Sequence, residues 1–316
     1  MRFATSSIAG ACLLKTALLS FALAAVGLLL YWLWTPDKPR AELEAKYLEA
    51  STDMVALDRW RLHVRDTGPK NAPVVILLHG FGASLHTWDA WAHVLAVDRR
   101  VVRFDLPGSG LSWPDPAGDY TDTRALQLLV ALMDRLGVAR ASLVGNSIGG
   151  RIAWTFAAAH PARVDKLVLV SPDGFASPGF AYGKPPNVPV VFEAMRYALP
   201  RSVLRMNLAP AYANPAALTD AFVTRYHDLM RAPGAREAML SRMAQTVLVD
   251  PLPRLRQIRA PTLLIWGERD ALIPIANSAD YLRAISASRL VVLPGIGHLP
   301  QEEAPASVSL LQAFLD

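Results

Sequence analysis

The sequence is poor in the residues that build cross-links and metal sites. One cysteine, Cys12, occurs among 316 residues, so an intrachain disulfide is excluded. With no second thiol and no H-E-x-x-H or H-x-x-E-H run, metalloenzyme patterns are missing, and no N-x-[ST] sequon is present. Basic residues exceed acidic ones by 32 to 27, a net charge of +5, yet they are scattered as single arginines rather than gathered in blocks. That argues against a nucleic-acid-binding stripe and fits a membrane-facing or simply soluble surface. Apolar residues are plentiful at 52%, enough for one large α/β domain or two ordinary ones.

The longest apolar run is at the N-terminus. Residues 16–34 are nineteen uncharged residues, TALLSFALAAVGLLLYWLW. As a helix they would span about 28 Å, close to a hydrocarbon core of ~30 Å. Tyr31, Trp32 and Trp34 suit an interfacial belt, and Lys15 can snorkel at the other end. Ala22-Leu23-Ala24 resembles a signal-peptidase site, but the apolar run continues for ten residues beyond it, so an uncleaved single-pass anchor is expected. The flanking charges (Arg2 and Lys15 against Lys38, Arg40 and Lys46, mixed with acids) set no orientation.

The most informative motif is Gly145-Asn146-Ser147-Ile148-Gly149, placed between a β-like run, Ala141 to Val144, and a helix-like run beginning at Gly150. A serine on a sharp strand-to-helix turn flanked by glycines is the G-x-S-x-G nucleophile pattern. The helix N-terminus beside it favours developing negative charge. Two later strand-like runs, residues 261–266 and 288–293, are followed by Asp270 and His298. Both would lie past C-terminal strand ends, where a parallel sheet opens its ligand crevice. The order Ser147, Asp270, His298 is that of a nucleophile, an orienting acid and a general base. Asp173, after the strand-like residues 166–170, is a rival acid, and Asp270 could instead be a turn residue before Ile273. Residues 73–78 read as a central strand ending in His79-Gly80-Phe81-Gly82. The backbone N–H groups of Phe81 and Ile148 are the expected oxyanion donors. His79 is expected to hydrogen-bond the turn rather than act as a base.

Elsewhere, strands are expected near residues 54–58, 60–65 and 100–104, with a turn at Thr67-Gly68-Pro69 and a helix over 123–136 that stops at Gly137. Strands alternating with helices imply βαβ units and a parallel sheet. Between Pro172 and about Arg256 the alternation stops. Helical pieces are expected there at 190–198, 215–230 and 236–248, and five of the chain's eight methionines fall in this stretch (Met195, Met206, Met230, Met239 and Met243). They are either ordinary helix-core residues or a flexible lining for an apolar substrate. The alternation returns after Pro261, and residues 304–315 close the chain as a helix.

With HGFG at 79–82, DLPGSG at 105–110, GNSIGG at 145–150, GERD at 267–270 and GIGH at 295–298, the chain resembles the α/β-hydrolase superfamily over residues 52–316. The resemblance implies a mostly parallel central sheet flanked by helices and a helical cap inserted between two strands. The expected organisation is an anchor (1–35), a linker (36–51) with a short helix at 41–50, a core (52–172 and 257–316) and a cap (173–256). It also implies Ser147 as nucleophile, Asp270 as acid, His298 as base, Phe81 and Ile148 as oxyanion donors, and no cofactor. A serine at the elbow departs from the aspartate-based dehalogenases and epoxide hydrolases. The GNS-x-GG elbow is similar to that of meta-cleavage C–C hydrolases, which carry Trp after the catalytic His and would need a cap arginine, Arg196 or Arg225. Here Leu299-Pro300 follows His298. The HGFGASLHTW and GHLPQEEAP segments are more similar to membrane-anchored lipases and carboxylesterases, including monoacylglycerol-lipase-like enzymes. The expected partners are a small lipophilic ester and the membrane, with no nucleic acid; a non-catalytic binding module is the alternative of another class. Oligomeric state and the side of the membrane stay open.

Overall fold

The computed structural model describes residues 4–176, 181–186 and 188–316. Its strands are β1 (Met54–Leu57), β2 (Trp60–Thr67), β3 (Val74–Leu78), β4 (Arg100–Phe104), β5 (Ala141–Asn146), β6 (Val164–Val170), β7 (Thr262–Gly267) and β8 (Ser288–Leu293). They form one sheet in the order β1-β2-β4-β3-β5-β6-β7-β8. Pairing is antiparallel for β1 with β2 and β2 with β4, and parallel for every pair from β4 to β8. The central strands are apolar without alternation because both faces are covered. Ile76, Leu78, Leu143, Leu169 and Leu264 face one hydrophobic layer, and Val75, Leu77, Val144, Val168 and Ile265 face the other.

The helices before β6 are α1 (Ala4–Leu33), α2 (Arg40–Tyr47), α3 (Asp89–Leu95), α4 (Asp122–Arg135) and α5 (Ile148–Ala159). The first, α1, contains one stretch, Lys15–Leu33, long and apolar enough to cross a membrane. Helix α4 starts where the Thr121 hydroxyl accepts from the Arg124 N–H and ends before Gly137, whose φ of 66° closes the helix in the left-handed region. Helix α5 is buried from Ile148 to Ala158, so it packs directly behind the Ser147 turn.

Between β6 and β7 lie α6 (Val190–Glu193), α7 (Arg201–Leu208), α8 (Asp220–Leu229), α9 (Ala235–Gln245) and α10 (Leu252–Leu255). Part of this connection falls outside the described residues. The single helix expected at 215–230 is broken: Pro215–Ala217 forms a 3-10 turn, and Thr219 caps a new helix by accepting from Phe222. Similarly, α6 ends after one turn and passes into a 3-10 turn, and α7, which follows Pro200, was not expected. After β7 come α11 (Asn277–Ala284), α12 (Pro300–Glu303) and α13 (Val308–Leu315). The closing helix expected at 304–315 therefore begins later, after a 3-10 turn at Pro305–Ser307.

Residues 36–51, expected as a linker, pack on the body. Leu43 is buried among Leu111, Leu229, Ala232 and Ala235. Lys46 and the Tyr47 hydroxyl both donate to Asp228, at 2.7 and 2.8 Å. Just before them, Trp34 stacks on Tyr197, the Thr35 N–H donates to the Tyr197 carbonyl at 2.9 Å, and Arg236 donates to the Thr35 carbonyl at 2.7 Å and to Asp37.

Candidate active site

The Gly145–Gly149 turn joins β5 to α5. Ser147 has φ 56° and ψ −121°, a strained backbone for a residue with a side chain, costing about 1–3 kcal/mol. The turn is tight because its flanks touch other backbone. A Cβ on Gly145 would be driven into the Gly149 carbonyl, and one on Gly149 into the Leu78 carbonyl at the end of β3. The turn is braced by the Ser147 N–H donating to the Val170 carbonyl at 3.1 Å.

Past the ends of β7 and β8, Asp270 and His298 are buried and meet: Nδ1 of His298 lies 2.8 Å from Oδ2 of Asp270. The other oxygen, Oδ1, accepts the N–H groups of Leu272 and Ile273, both at 2.9 Å. Asp270 thus caps its own turn and holds the imidazole at once. Burial pushes its pKa up, but the hydrogen bond and charge of His298 and the Ile273 N–H outweigh that and hold it below the ordinary carboxylate value. The rival Asp173 is not on the histidine. It faces Nη1 of Arg151 at 3.5 Å, and burial raises its pKa despite that neighbour.

The His79–Gly82 loop, which carries one of the expected oxyanion donors, follows β3. Among the described residues the Phe81 N–H has no acceptor, and Ile148, as the first residue of α5, has none within the helix. His79 is fully buried; Nδ1 donates to the Gly80 carbonyl at 2.8 Å and Nε2 accepts from the Leu106 N–H at 2.9 Å. Burial lowers its pKa, in keeping with a neutral ring that ties two loops together.

Ser147, His298 and the Gly80–Phe81 loop open on one chamber of about 370 Å3. The segment from α6 to α9 lines it with Met195, Leu204, Leu208, Met230, Met239 and Met243. Four of the five methionines in this stretch line the chamber, while Met206 is exposed. Neither arginine considered for a cap role lines it. Arg225 pairs with buried Glu302, and Arg196 pairs with Glu193. Among the described residues no group of three His, Cys, Asp or Glu side chains could hold a metal ion.

Sequence reasoning missed two holding residues. Asn146, fully buried, donates from Nδ2 to the Val170 carbonyl and to the His298 carbonyl, both at 3.1 Å. It sits inside the G-x-S-x-G motif, but only its position at the end of β5 reveals that it ties that strand to the His298 loop. Glu303 accepts from the Gly297 N–H at 2.7 Å and from the N–H groups of Ala213 and Asn214, joining the histidine loop to the segment that leads into α8. The His298 N–H itself donates to the Ala211 carbonyl at 2.8 Å.

A family model for the alpha/beta hydrolase fold matches residues 73–305. The chain belongs to the α/β-hydrolase family. It is 30% identical over 257 residues to the dihydrolipoyllysine-residue acetyltransferase component of an acetoin cleaving system of Pseudomonas putida, covering 79% of this chain and 65% of that protein, so it spans just under two thirds of that relative. It is also 30% identical over 271 residues to a 2-hydroxy-6-oxo-6-phenylhexa-2,4-dienoate hydrolase of Burkholderia cepacia, covering 82% of this chain and 92% of that one. Among solved structures it is similar to a membrane phospholipase A described as a bacterial virulence factor, with TM-score 0.68, 26% identity and coverage of 96% of this chain and 97% of that one. The protein is a hydrolase of the α/β fold, with one N-terminal helix long and apolar enough to span a membrane.

Proposed function

We propose that the protein is a membrane-anchored serine hydrolase that cleaves carboxylic esters with a lipophilic part. The observation that carries this reading is the methionine-lined chamber that Ser147 and His298 both line: apart from His298, its wall holds no ionisable side chain but the Tyr226 phenol. Such a wall suits an acyl chain. In the proposed reaction His298 takes the proton of Ser147 as the hydroxyl attacks the ester carbonyl. Asp270 orients the ring and stabilises its cationic form. The N–H groups of Phe81 and Ile148 hold the oxyanion, worth several kcal/mol for such a pair. His298 then protonates the leaving alcohol, and water repeats the sequence on the acyl-enzyme.

Cleavage of a C–C bond in a vinylogous 1,5-diketone is the second reading, favoured by the 30% identity to the dienoate hydrolase. Against it stand the pairing of Arg225 and Arg196 with glutamates and the position of Leu299 after the histidine. The deciding experiment is a panel of p-nitrophenyl esters and monoacylglycerols of graded chain length beside a 2-hydroxy-6-oxo-dienoate. Ester turnover should exceed dienoate turnover, and Ser147→Ala should lower kcat by several orders of magnitude with the circular dichroism spectrum unchanged. Undiminished ester hydrolysis in that variant would sink the assignment. A fluorophosphonate probe that fails to label Ser147 would favour a non-catalytic module instead.

A further inference from the structure

Beside the chamber, and sharing the Gly80–Ala83 loop with it, a narrower pocket runs to the Gly108–Gly110 turn. That turn belongs to the DLPGSG motif, for which the catalytic reading has no use. Arg242 of α9 lines the pocket and is 7% exposed. Its Nη2 donates to the Pro107 carbonyl at 2.9 Å, and its guanidinium lies over the Tyr120 ring at 5.0 Å. Among the described residues no carboxylate pairs with it and its other N–H groups have no acceptor. The carboxylates that act on it from a distance, Asp122 and Asp115, are engaged by Arg151 and Arg124. Burial lowers its pKa to about 10, which leaves it cationic at neutral pH. A buried cation without a counter-ion is costly, and a ring face repays only part of that cost. Arg236, in the same wall, is by contrast paired with Asp37 and with two carbonyls. The hydroxyls of Ser84 and Ser109 also line the pocket and have no hydrogen-bond partner among the described residues.

We infer that Arg242, with the Ser84 and Ser109 hydroxyls, forms an anion subsite that receives an oxyanion carried by the substrate next to its scissile carbonyl. This deepens the proposed function and rests on Ser147 being the nucleophile. The guanidinium fork matches a phosphate or a carboxylate. Two sources supply that chemistry: the phosphodiester of a glycerophospholipid and the carboxylate of a dienoic acid. Because the subsite adjoins the Phe81 and Ile148 donors, an anion there would also fix which ester of a lipid enters the chamber.

The test uses the full chain in uncharged detergent micelles. It compares 1-lauroyl-lysophosphatidylglycerol with 1-monolauroylglycerol, which share an acyl chain and differ in the phosphate. Arg242→Gln should reduce kcat/KM on the phosphate ester about 10- to 100-fold more than on the neutral ester, the range expected for a lost charge-assisted hydrogen bond. Arg242→Lys should restore part of it. A 2-hydroxy-6-oxo-dienoate is the third arm, and selective loss there supports the subsite and names a carboxylate as its occupant. Equal losses on all substrates would overturn the subsite and leave Arg242 as a brace for the Pro107 turn. Should Arg242→Gln not fold, calorimetry on the wild type decides. Decyl phosphate should bind at least tenfold more tightly than decanol, and equal affinities overturn the proposal. Absence of any Ser147-dependent turnover would count against the hydrolase reading alone, because the calorimetric arm does not require catalysis.

Discussion

Asn146 shows how much one buried side chain can hold. Its two N–H groups reach the Val170 carbonyl at the end of β6 and the His298 carbonyl, so it fixes the distance between β5 and the His298 loop. Replacing it with alanine strands the buried His298 carbonyl, at about 1–3 kcal/mol for an unsatisfied group, while the Val170 carbonyl keeps the Ser147 N–H. Asn146→Ala should lower the urea midpoint and reduce kcat by more than it raises KM, because His298, the proposed base, is displaced while the chamber wall is kept. A KM change alone would count against this role. Asp270 makes a separate, pH-dependent contribution. Its pKa is depressed in the folded state, so the stability it contributes is complete above the unfolded value, 3.8, and is lost as pH falls through the lower folded value. Urea midpoints between pH 6 and pH 3 should therefore fall more steeply for the wild type than for Asp270→Asn. At this scale the sharp turn at Ser147 and the meeting of Asp270 with His298 were legible, because each follows a strand end that the apolar runs announce. Glu303 and Arg242 were not legible, since their partners lie in remote segments that spacing does not bring together.

At the scale of elements, the strands were legible and the helices after β6 only partly so. Strands β3 and β7 announce themselves as unbroken apolar runs, because burial on both faces leaves no polar position. Helices α3 and α11 carry too few periodic positions over seven and eight residues to stand out. The break before α8 turns on one hydroxyl, Thr219, whose cap is visible only once the preceding 3-10 turn is known. Thr219→Ala should cost about 1 kcal/mol, as for other cap losses, read as a lowered thermal midpoint. Glu303 links elements more broadly: it collects N–H groups from Gly297, Ala213 and Asn214. Glu303→Ala should raise KM for long-chain esters and speed proteolysis near residues 211–219. Unaltered cleavage kinetics would show that the segment is held without it.

For the whole molecule, the contacts of residues 34–47 matter most. Trp34 and Thr35 contact Tyr197 and Leu199, Thr35 and Asp37 are bonded to Arg236, and α2 is packed beside α8. Removing residues 1–33 should leave the thermal midpoint of the body nearly unchanged. Removing residues 1–39 should lower it and weaken ester turnover, because Arg236 loses its carboxylate and a carbonyl acceptor next to the chamber. Identical melting curves for the two truncations would refute that link.

A free tether of the length of residues 36–51 would give the body a reach of roughly 20 Å by random-coil statistics. Docked as it is, the stem has no slack. With α1 held in a bilayer, as proposed, the hydrolase would work in cis, on lipid of the membrane that carries it. In a mixture of vesicles, those bearing the protein would be consumed while their neighbours survive until membranes fuse or exchange lipid.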